Sequence, residues 1–437
     1  MTRRAPPRRR PRRFLAGYLS AILPGLGQLY AGRVGQAFLF LAPALLLLGL
    51  AAAAILSSPS RTLATLIDPR VLLVLLILQG LILVWRLLAV ASAISDPRMA
   101  PFRASEMIPL VVLLLFVIVP QALLGYTTLL VRDASEDIFS TVGRGDGVPI
   151  APAPDWQRER INVLLLGIDS NSRRTQSLTD SIIVASADPS GKSVSMLSIP
   201  RDLVDVPLPD GGVYRPKINS LVSAAEQAPD RFAYAQGSGV RALAGALSTL
   251  LGVPIHYYAR VNLDGFVRMV DTLGGVDIRV RRALDDPAYR DYGVRGFSIQ
   301  PGLHHLSGPE ALAYARIRRA QGENDFTRAD RQQQVLVAIR DRIVKGGFLG
   351  NLGGFVGAVG QTLETDMPPD RLPFLVELME EIDGDRVFRA VLQPPLVRQA
   401  SDERGSILVP DVTAIRQLVG RLFTPAGRDP RPVPTSP

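Results

Sequence analysis

The sequence predicts an N-terminal multi-span α-helical membrane region followed by a soluble α/β domain, layered with helices on both faces of a sheet. Three observations carry this. Mean hydropathy is above zero, although 20% of the 437 residues are charged and the net charge is +9. Three apolar blocks lie in the first third of the chain, each of about 20 residues or more, the length a helix needs to cross a bilayer. Beyond Arg132 the composition changes, and short β-branched runs alternate with runs of helical spacing.

The elements follow in order. Residues 1–13 hold seven arginines, three prolines and no acid. Such a tract has too little apolar surface to fold, so a disordered basic tail is expected, cytoplasmic by the excess of positive charge. The stretch 14–30 is apolar but broken by Pro24-Gly25-Leu26-Gly27. Its first reading is a re-entrant or interfacial segment, its second a fourth crossing. The spans are read at 36–56, 71–94 and 108–131, completing a transmembrane region over 14–131. A cleavable signal peptide is excluded because the apolar material runs through three blocks. Arg86, beside Trp85, is expected near a membrane face or between helices, since an arginine facing lipid is costly. Parity then matters: three crossings put the rest of the chain outside, four put it inside. Loop charges divide, Arg98 and Arg103 favouring three crossings, Arg61 and Arg70 the opposite.

Residues 132–160, with Gly, Pro, Asp and Ser and no apolar period, read as a linker. Strands are expected at 161–166, 181–187, 193–199, 257–261 and 276–280. Helices are expected at 240–251, 263–273, 309–317 and 327–344. The soluble domain is bounded at 161–423, and the proline-rich 424–437 is expected to be disordered.

Composition excludes several chemistries. The chain has no cysteine, hence no disulfide, thiol nucleophile or thiolate metal site. Its three histidines, His256, His304 and His305, lack zinc-ligand spacing. No Walker loop or Gly-x-Ser-x-Gly elbow occurs, and Gly274-Gly275 precedes a strand as a turn. Nucleic acid is not an expected partner. Of the +9 charge, +7 sits in residues 1–13 and +3 in 14–131, leaving the soluble half at −1. Membrane topology accounts for that distribution.

Five polar clusters fall at strand ends, where α/β folds place their sites. They are Gly167-Ile168-Asp169, Thr179-Asp180-Ser181, Ser198-Ile199-Pro200-Arg201-Asp202, Lys217-Ile218-Asn219, and Tyr314 to Arg318 continued by Asp325 to Gln332. Paired carboxylates with few other ligands suit magnesium, which completes its shell with water and phosphate oxygens. The plainer alternative is that each aspartate caps a turn. With Thr327 as N-cap, Arg328, Arg331 and Gln332 share a helix face suited to an anion. The plainer alternative there is a solvated charged face.

In order, the clusters form seven words. They are Leu-Leu-Gly-Ile-Asp (165–169), Thr-Asp-Ser (179–181), Ser-Ile-Pro-Arg-Asp (198–202), Lys-Ile-Asn (217–219), Val-Asp-Thr-Leu-Gly-Gly-Val (270–276), Ala-Tyr-Ala-Arg-Ile-Arg (313–318) and Asp-Phe-Thr-Arg-Ala-Asp-Arg-Gln (325–332). This series resembles the LytR-CpsA-Psr family of bacterial cell-envelope proteins. The resemblance implies α/β/α layers around a central mixed sheet, in an extracytoplasmic domain; the three apolar blocks make the expected protein a multi-pass one. It implies a magnesium-dependent phosphotransferase that moves a glycopolymer from a polyprenyl-pyrophosphate-linked donor, held in a hydrophobic groove, to a peptidoglycan acceptor. A pyrophosphatase side activity is the corresponding reaction with water. Alternatives are a non-catalytic polyprenyl-phosphate-binding regulator and a polyprenyl-pyrophosphate hydrolase.

Carried over by motif, Asp169 and Asp180 are the metal ligands and Mg2+ the cofactor. Arg201, Lys217, Arg316, Arg318, Arg328 and Gln332 bind the pyrophosphate. Arg201, Asp325 and Arg328 are the catalytic candidates, Asp325 as proton acceptor. Two features depart from the pattern. Leu178 stands where an arginine is common, with Arg173 or Arg174 as substitutes, and the chain has three spans where one is typical.

Overall fold

The structure, a computed structural model, describes residues 12–57, 59–95, 106–139, 151–168, 179–318, 320–346, 360 and 363–423. The chain divides into two compact units at Asp133 and Ala134.

In the first unit, α3 (Val34–Ser57), α5 (Pro69–Ile94) and α6 (Met107–Ile138) are the three helices long and apolar enough to cross a membrane. The shortest has 24 residues, a length of about 36 Å, enough for a hydrocarbon core. Before them lie α1 (Arg13–Ile22) and α2 (Leu26–Tyr30), with the short α4 (Pro59–Thr65) between α3 and α5. Ten and five residues make α1 and α2 each too short to span. The break falls at Gly25, whose φ of +103° suits glycine and where a Cβ would meet the Ala37 carbonyl oxygen at 2.6 Å. Polar groups fasten this pair to α5. Gln28 accepts from Ser20 Oγ at 2.8 Å and donates to the Ala89 carbonyl at 2.7 Å, and Arg86 donates to the Ala21 carbonyl at 2.5 Å. Arg86 thus lies between helices, satisfying a C-terminal carbonyl of α1.

Residues 132–138, read from sequence as the start of a linker, instead continue α6. The stretch 132–138 contains neither glycine nor proline, so nothing stops the helix there.

The second unit is built on a six-stranded sheet. Its first strands are β1 (Ile161–Ile168), β2 (Thr179–Asp188) and β3 (Ser193–Ile199). Two short strands, β4 (Val206–Pro207) and β5 (Val213–Tyr214), pair with each other. Then come helices α7 (Leu221–Gln227) and α8 (Gly239–Leu251), strand β6 (Tyr257–Asn262) and α9 (Leu263–Thr272). The segment after α9 holds β7 (Val276–Val280), β8 (Leu284–Asp291), β9 (Val294–Ile299) and β10 (Gly302–Leu306). Helices α10 (Gly308–Arg316) and α11 (Asp325–Val344) follow. The chain closes with β11 (Leu363–Thr365), α12 (Leu372–Glu381), β12 (Val387–Val391), β13 (Val397–Asp402), β14 (Gly405–Pro410) and α13 (Val412–Leu422).

Strand order is β11-β6-β1-β2-β3-β12. β1 runs parallel to β6 and β3 to β12, while β2 is antiparallel to both β1 and β3, so the sheet is mixed. The C-terminal ends of β1, β3, β6 and β12 therefore share one edge with the start of β2. Period-two alternation sends Leu164, Leu166, Ile182, Val184, Leu197 and Ile199 to one face, packed on α7, α8 and α13. Nine of the 13 residues of α8 are buried, and full burial of each leucine among them is worth about 1.5–3 kcal/mol. Ser238 Oγ caps α8 and Gly252 ends it in the left-handed region. On the opposite face Gln333 of α11 donates to Ser198 Oγ of β3 and to the Ala390 carbonyl of β12, both at 2.8 Å. Helices thus cover both faces, as predicted.

Candidate active site

The strand-end clusters converge on the C-terminal edge of the sheet. At the start of β2, Asp180 accepts from Arg201 Nη1 at 2.5 Å. Arg201 follows β3 directly, and its Nε sits 3.8 Å from Asp202 Oδ2. Asp202 in turn pairs with Lys217 Nζ at 2.8 Å. This makes a carboxylate–guanidinium–carboxylate–ammonium chain, with each charge fixed by its neighbour. Arg201 Nε is buried with no hydrogen-bond partner, so the fork retains unused donors.

Ser181, beside Asp180, projects to the other face of β2, where its Oγ donates to Gln332 Oε1 at 3.1 Å. Gln332 and Arg328, one turn apart on α11, thereby border the same edge. Arg328 is buried, and its Nη2 lies 3.1 Å from Asp325 Oδ1. Arg318 reaches the same oxygen at 3.3 Å. Arg316 is engaged differently: it pairs at 2.6 Å with Asp291, at the turn of the β8–β9 hairpin. The structure thus links Asp180, Arg201, Lys217, Gln332, Arg328, Asp325 and Arg318 through contacts or a shared helix face, with Arg316 tied to the hairpin. Asp169, Arg173, Arg174 and Leu178 lie outside the described residues.

Two sequence expectations are corrected. The N-cap of α11 is Asn324, not Thr327: Asn324 Oδ1 accepts from the backbone N–H of both Phe326 and Thr327 at 2.9 Å, while Thr327 Oγ1 accepts from Asn324 N. Asn outranks Thr as a cap, and the box places Asp325 inside the first turn, within reach of Arg328. Arg331 is not part of the anion face. It is 4% exposed, and its guanidinium donates to the Tyr314 and Ile317 carbonyls and meets Glu323 at 2.8 Å. Burial lowers its pKa, with Glu323 opposing that shift. Arg331 clamps the C-terminus of α10 onto α11 and so positions the Arg316–Arg318 segment.

Asp202, Ser181 and Glu323 were not singled out from sequence. Asp202 and Ser181 stand inside the quoted Ser-Ile-Pro-Arg-Asp and Thr-Asp-Ser words, which were the available signal; Glu323 carries none. The three histidines serve the scaffold. His256 accepts from Asn162 N at 3.0 Å, with burial lowering its pKa, while His305 pairs with Asp277 and His304 contacts the Gln300 carbonyl. Among the described residues no group of three or more His, Cys, Asp or Glu forms a metal cluster.

Beside the polar edge, the apolar face of the sheet is filled by side chains of α8 and α13.

The model of the LytR_cpsA_psr family matches residues 127–393. The polyisoprenyl-teichoic acid–peptidoglycan teichoic acid transferase TagV of Bacillus subtilis (strain 168) is 30% identical over 245 residues, 56% of this chain and 59% of that protein. The similarly named TagU of Halalkalibacterium halodurans is 30% identical over 214 residues, 49% of this chain and 63% of that protein. The chain thus spans about three-fifths of the length of these curated relatives. The crystal structure of B. subtilis TagV superposes with a TM-score of 0.48 at 25% identity, covering 61% of this chain and 98% of that one.

Proposed function

The chain belongs to the LytR-CpsA-Psr family, and from that premise we propose that it is a membrane-anchored phosphotransferase moving a glycopolymer from a polyprenyl-pyrophosphate carrier to peptidoglycan. The observation that carries the reading is the linked set of Arg201, Lys217 and Arg328 around Asp180 and Gln332 at one sheet edge. The two curated relatives' names point the same way.

In the proposed reaction a sugar hydroxyl of the acceptor forms a P–O bond to the glycan-bearing phosphorus. The bridging P–O bond breaks, and polyprenyl phosphate leaves with added negative charge. Cationic groups already fixed by carboxylates stabilise that charge without reorganising. Arg201 is held by Asp180 through Nη1 and offers its remaining donors to a phosphate oxygen. Arg318 and Arg328 share Asp325, which positions both guanidinium groups. Asp325 Oδ2, without a partner among the described residues, is the proposed acceptor of the hydroxyl proton. Replacing the sugar hydroxyl by water gives pyrophosphate hydrolysis at the same site.

Magnesium fits the donor chemistry. Asp180 keeps Oδ2 unpaired among the described residues, and carboxylate, water and phosphate oxygens suit a hard cation. When bound, the ion would supply Lewis-acid charge beside the pyrophosphate. Three spans after a cytoplasmic basic tail would put the catalytic unit outside the cytoplasm, where peptidoglycan is.

The test uses the full chain in detergent with a glycan-bearing polyprenyl pyrophosphate and peptidoglycan fragments. Glycan should appear on peptidoglycan, and chelation of magnesium should stop it. Asp180→Asn and Arg201→Ala should each slow turnover by about 10²-fold or more, the usual cost of removing a group that stabilises transition-state charge. Equal turnover by wild type and variants would sink the proposal. Tight lipid binding without turnover would favour the regulator.

A further inference from the structure

A second cavity lies on the other side of α11. At 100° per residue, Arg328 and Gln332 share one face of that helix, and Phe326, Asp330 and Gln333 occupy the opposite one. The second face borders a cavity of about 650 Å³, closed by β12, the segment 393–396, α13 and the residues after β7. No residue of the candidate active site lines it. Its volume is that of a ligand site.

Three properties of the wall specify a ligand. Five arginines line it, Arg281, Arg282, Arg331, Arg389 and Arg421, against only Glu323 and Asp330. Both acids are engaged, Glu323 by Arg331 at 2.8 Å and Asp330 by Arg389 at 3.5 Å. Among the described residues no carboxylate pairs with Arg281, Arg282 or Arg421, all of which are exposed. That leaves three guanidinium groups for an anion.

The second property is hydrogen bonding left unmade. Gln333 is fully buried and locked by two donated bonds, yet its Oε1 accepts none; Arg331 Nε, also buried, donates none. A buried polar atom without a partner costs about 1–3 kcal/mol, which a ligand carrying both donors and acceptors relieves. The third is an apolar strip of Phe326, Pro394, Pro395 and Leu396, against which the apolar faces of sugar rings can pack. Ring faces, hydroxyl or amide groups and repeated negative charge together describe an anionic saccharide.

We propose that this cavity binds an anionic saccharide segment while the pyrophosphate occupies the other side of α11. The inference rests on the phosphotransferase reading and deepens it. A helix about 10 Å across separates the two sites, so a few sugar units bridge them. The charge belongs to one of two sources: carboxylates of the peptidoglycan strand, or phosphodiesters of the transferred glycan.

The full chain in detergent is titrated with a disaccharide–pentapeptide muropeptide, a glycerol-phosphate oligomer and a neutral chitooligosaccharide. One anionic fragment should bind the wild type, and the neutral one far more weakly. Arg282→Glu/Arg421→Glu should weaken that binding at least tenfold, whereas Arg282→Lys/Arg421→Lys and Arg201→Ala should retain most of it. The fragment that responds identifies the source. Equal binding to wild type and the charge-reversed variant, or no binding of either anionic fragment, would overturn the proposal. A wild-type chain that binds as described but never cleaves a lipid-linked donor supports the cavity and sinks the phosphotransferase reading.

Discussion

Arg331 sets the terms at the residue scale. Its guanidinium is nearly inaccessible and satisfies two carbonyls at the end of α10, Glu323 and the face of Tyr314, 5.5 Å away. Tyr314 is itself buried, its hydroxyl pKa pushed up to about 12 by that burial, and it donates to Gln334 at 2.8 Å. Removing one member of a buried pair leaves the other charge uncompensated, typically at about 3–5 kcal/mol. Arg331→Met should therefore lower stability on that order in chemical denaturation of the full chain. Adding Glu323→Gln should recover part of the loss, because it removes the stranded carboxylate. An Arg331→Met variant as stable as wild type would show that the clamp contributes nothing. Arg201 contrasts with it: about a quarter exposed, hydrogen-bonded only to Asp180 and with donors unused, it has the character of a ligand-facing group.

At the scale of elements, the active-site segment depends on how closely α10 approaches α9. Gly308 opens α10 and donates to Asp271 Oδ1 at 2.7 Å, and a Cβ there would meet the Val267 carbonyl oxygen at 2.3 Å. Backbone cannot yield as a side chain end can, so Gly308→Ala should push α10 outward, at about 1–3 kcal/mol. Arg316 and Arg318 sit at the far end of that helix, so turnover should fall further than the stability loss alone accounts for. Gly384→Ala, where a Cβ meets nothing within 4 Å, is the control expected to leave both unchanged. Unaltered turnover in Gly308→Ala would detach the arginines from this contact. Much of the framework was legible in the sequence because pattern and burial coincide: β3 and β7 span the predicted residues, and α8 gains one at its cap. The β8–β9 hairpin was not. Its turn is Tyr292-Gly293, both at positive φ, and its first strand contains Asp285, Asp286 and Pro287, which no strand pattern favours. The site shows the same division. Asp180, Arg201 and Lys217 stood out as words in the chain, but the Ser181–Gln332 bond joins residues 151 apart. Helical spacing placed Arg331 beside Arg328, and only tertiary packing turns its long side chain inward.

For the whole molecule the decisive quantity is the parity of membrane crossings. Three helices have the length and composition to span, whereas Arg13–Ile22 and Leu26–Tyr30 do not, being split by a glycine turn and held to α5 through Gln28 and Arg86. Their apolar surface is nonetheless real: Leu15, Ile22 and Leu29 are exposed. A short helix pair with such a surface and arginines directly before it suits the cytoplasmic interface, where apolar faces enter the acyl boundary and guanidinium groups meet anionic headgroups. With that interface on the cytoplasmic side, an odd number of crossings would carry the second unit across the membrane, the side that the proposed transfer to peptidoglycan requires. The soluble half, at a net charge of −1, has no excess of basic residues to oppose that transfer. Fusion of alkaline phosphatase after Phe139 should give an active, folded reporter, and fusion of green fluorescent protein at the same point should stay dark. After Gly32, before the first span, the two reporters should behave the opposite way. Active phosphatase at both points, or at neither, would mean an even number of crossings between them and would contradict the proposed function together with the topology. Neutralising the arginines before Phe14 should weaken the orientation without changing the number of spans, because loop charge selects the side and helix length selects the crossing.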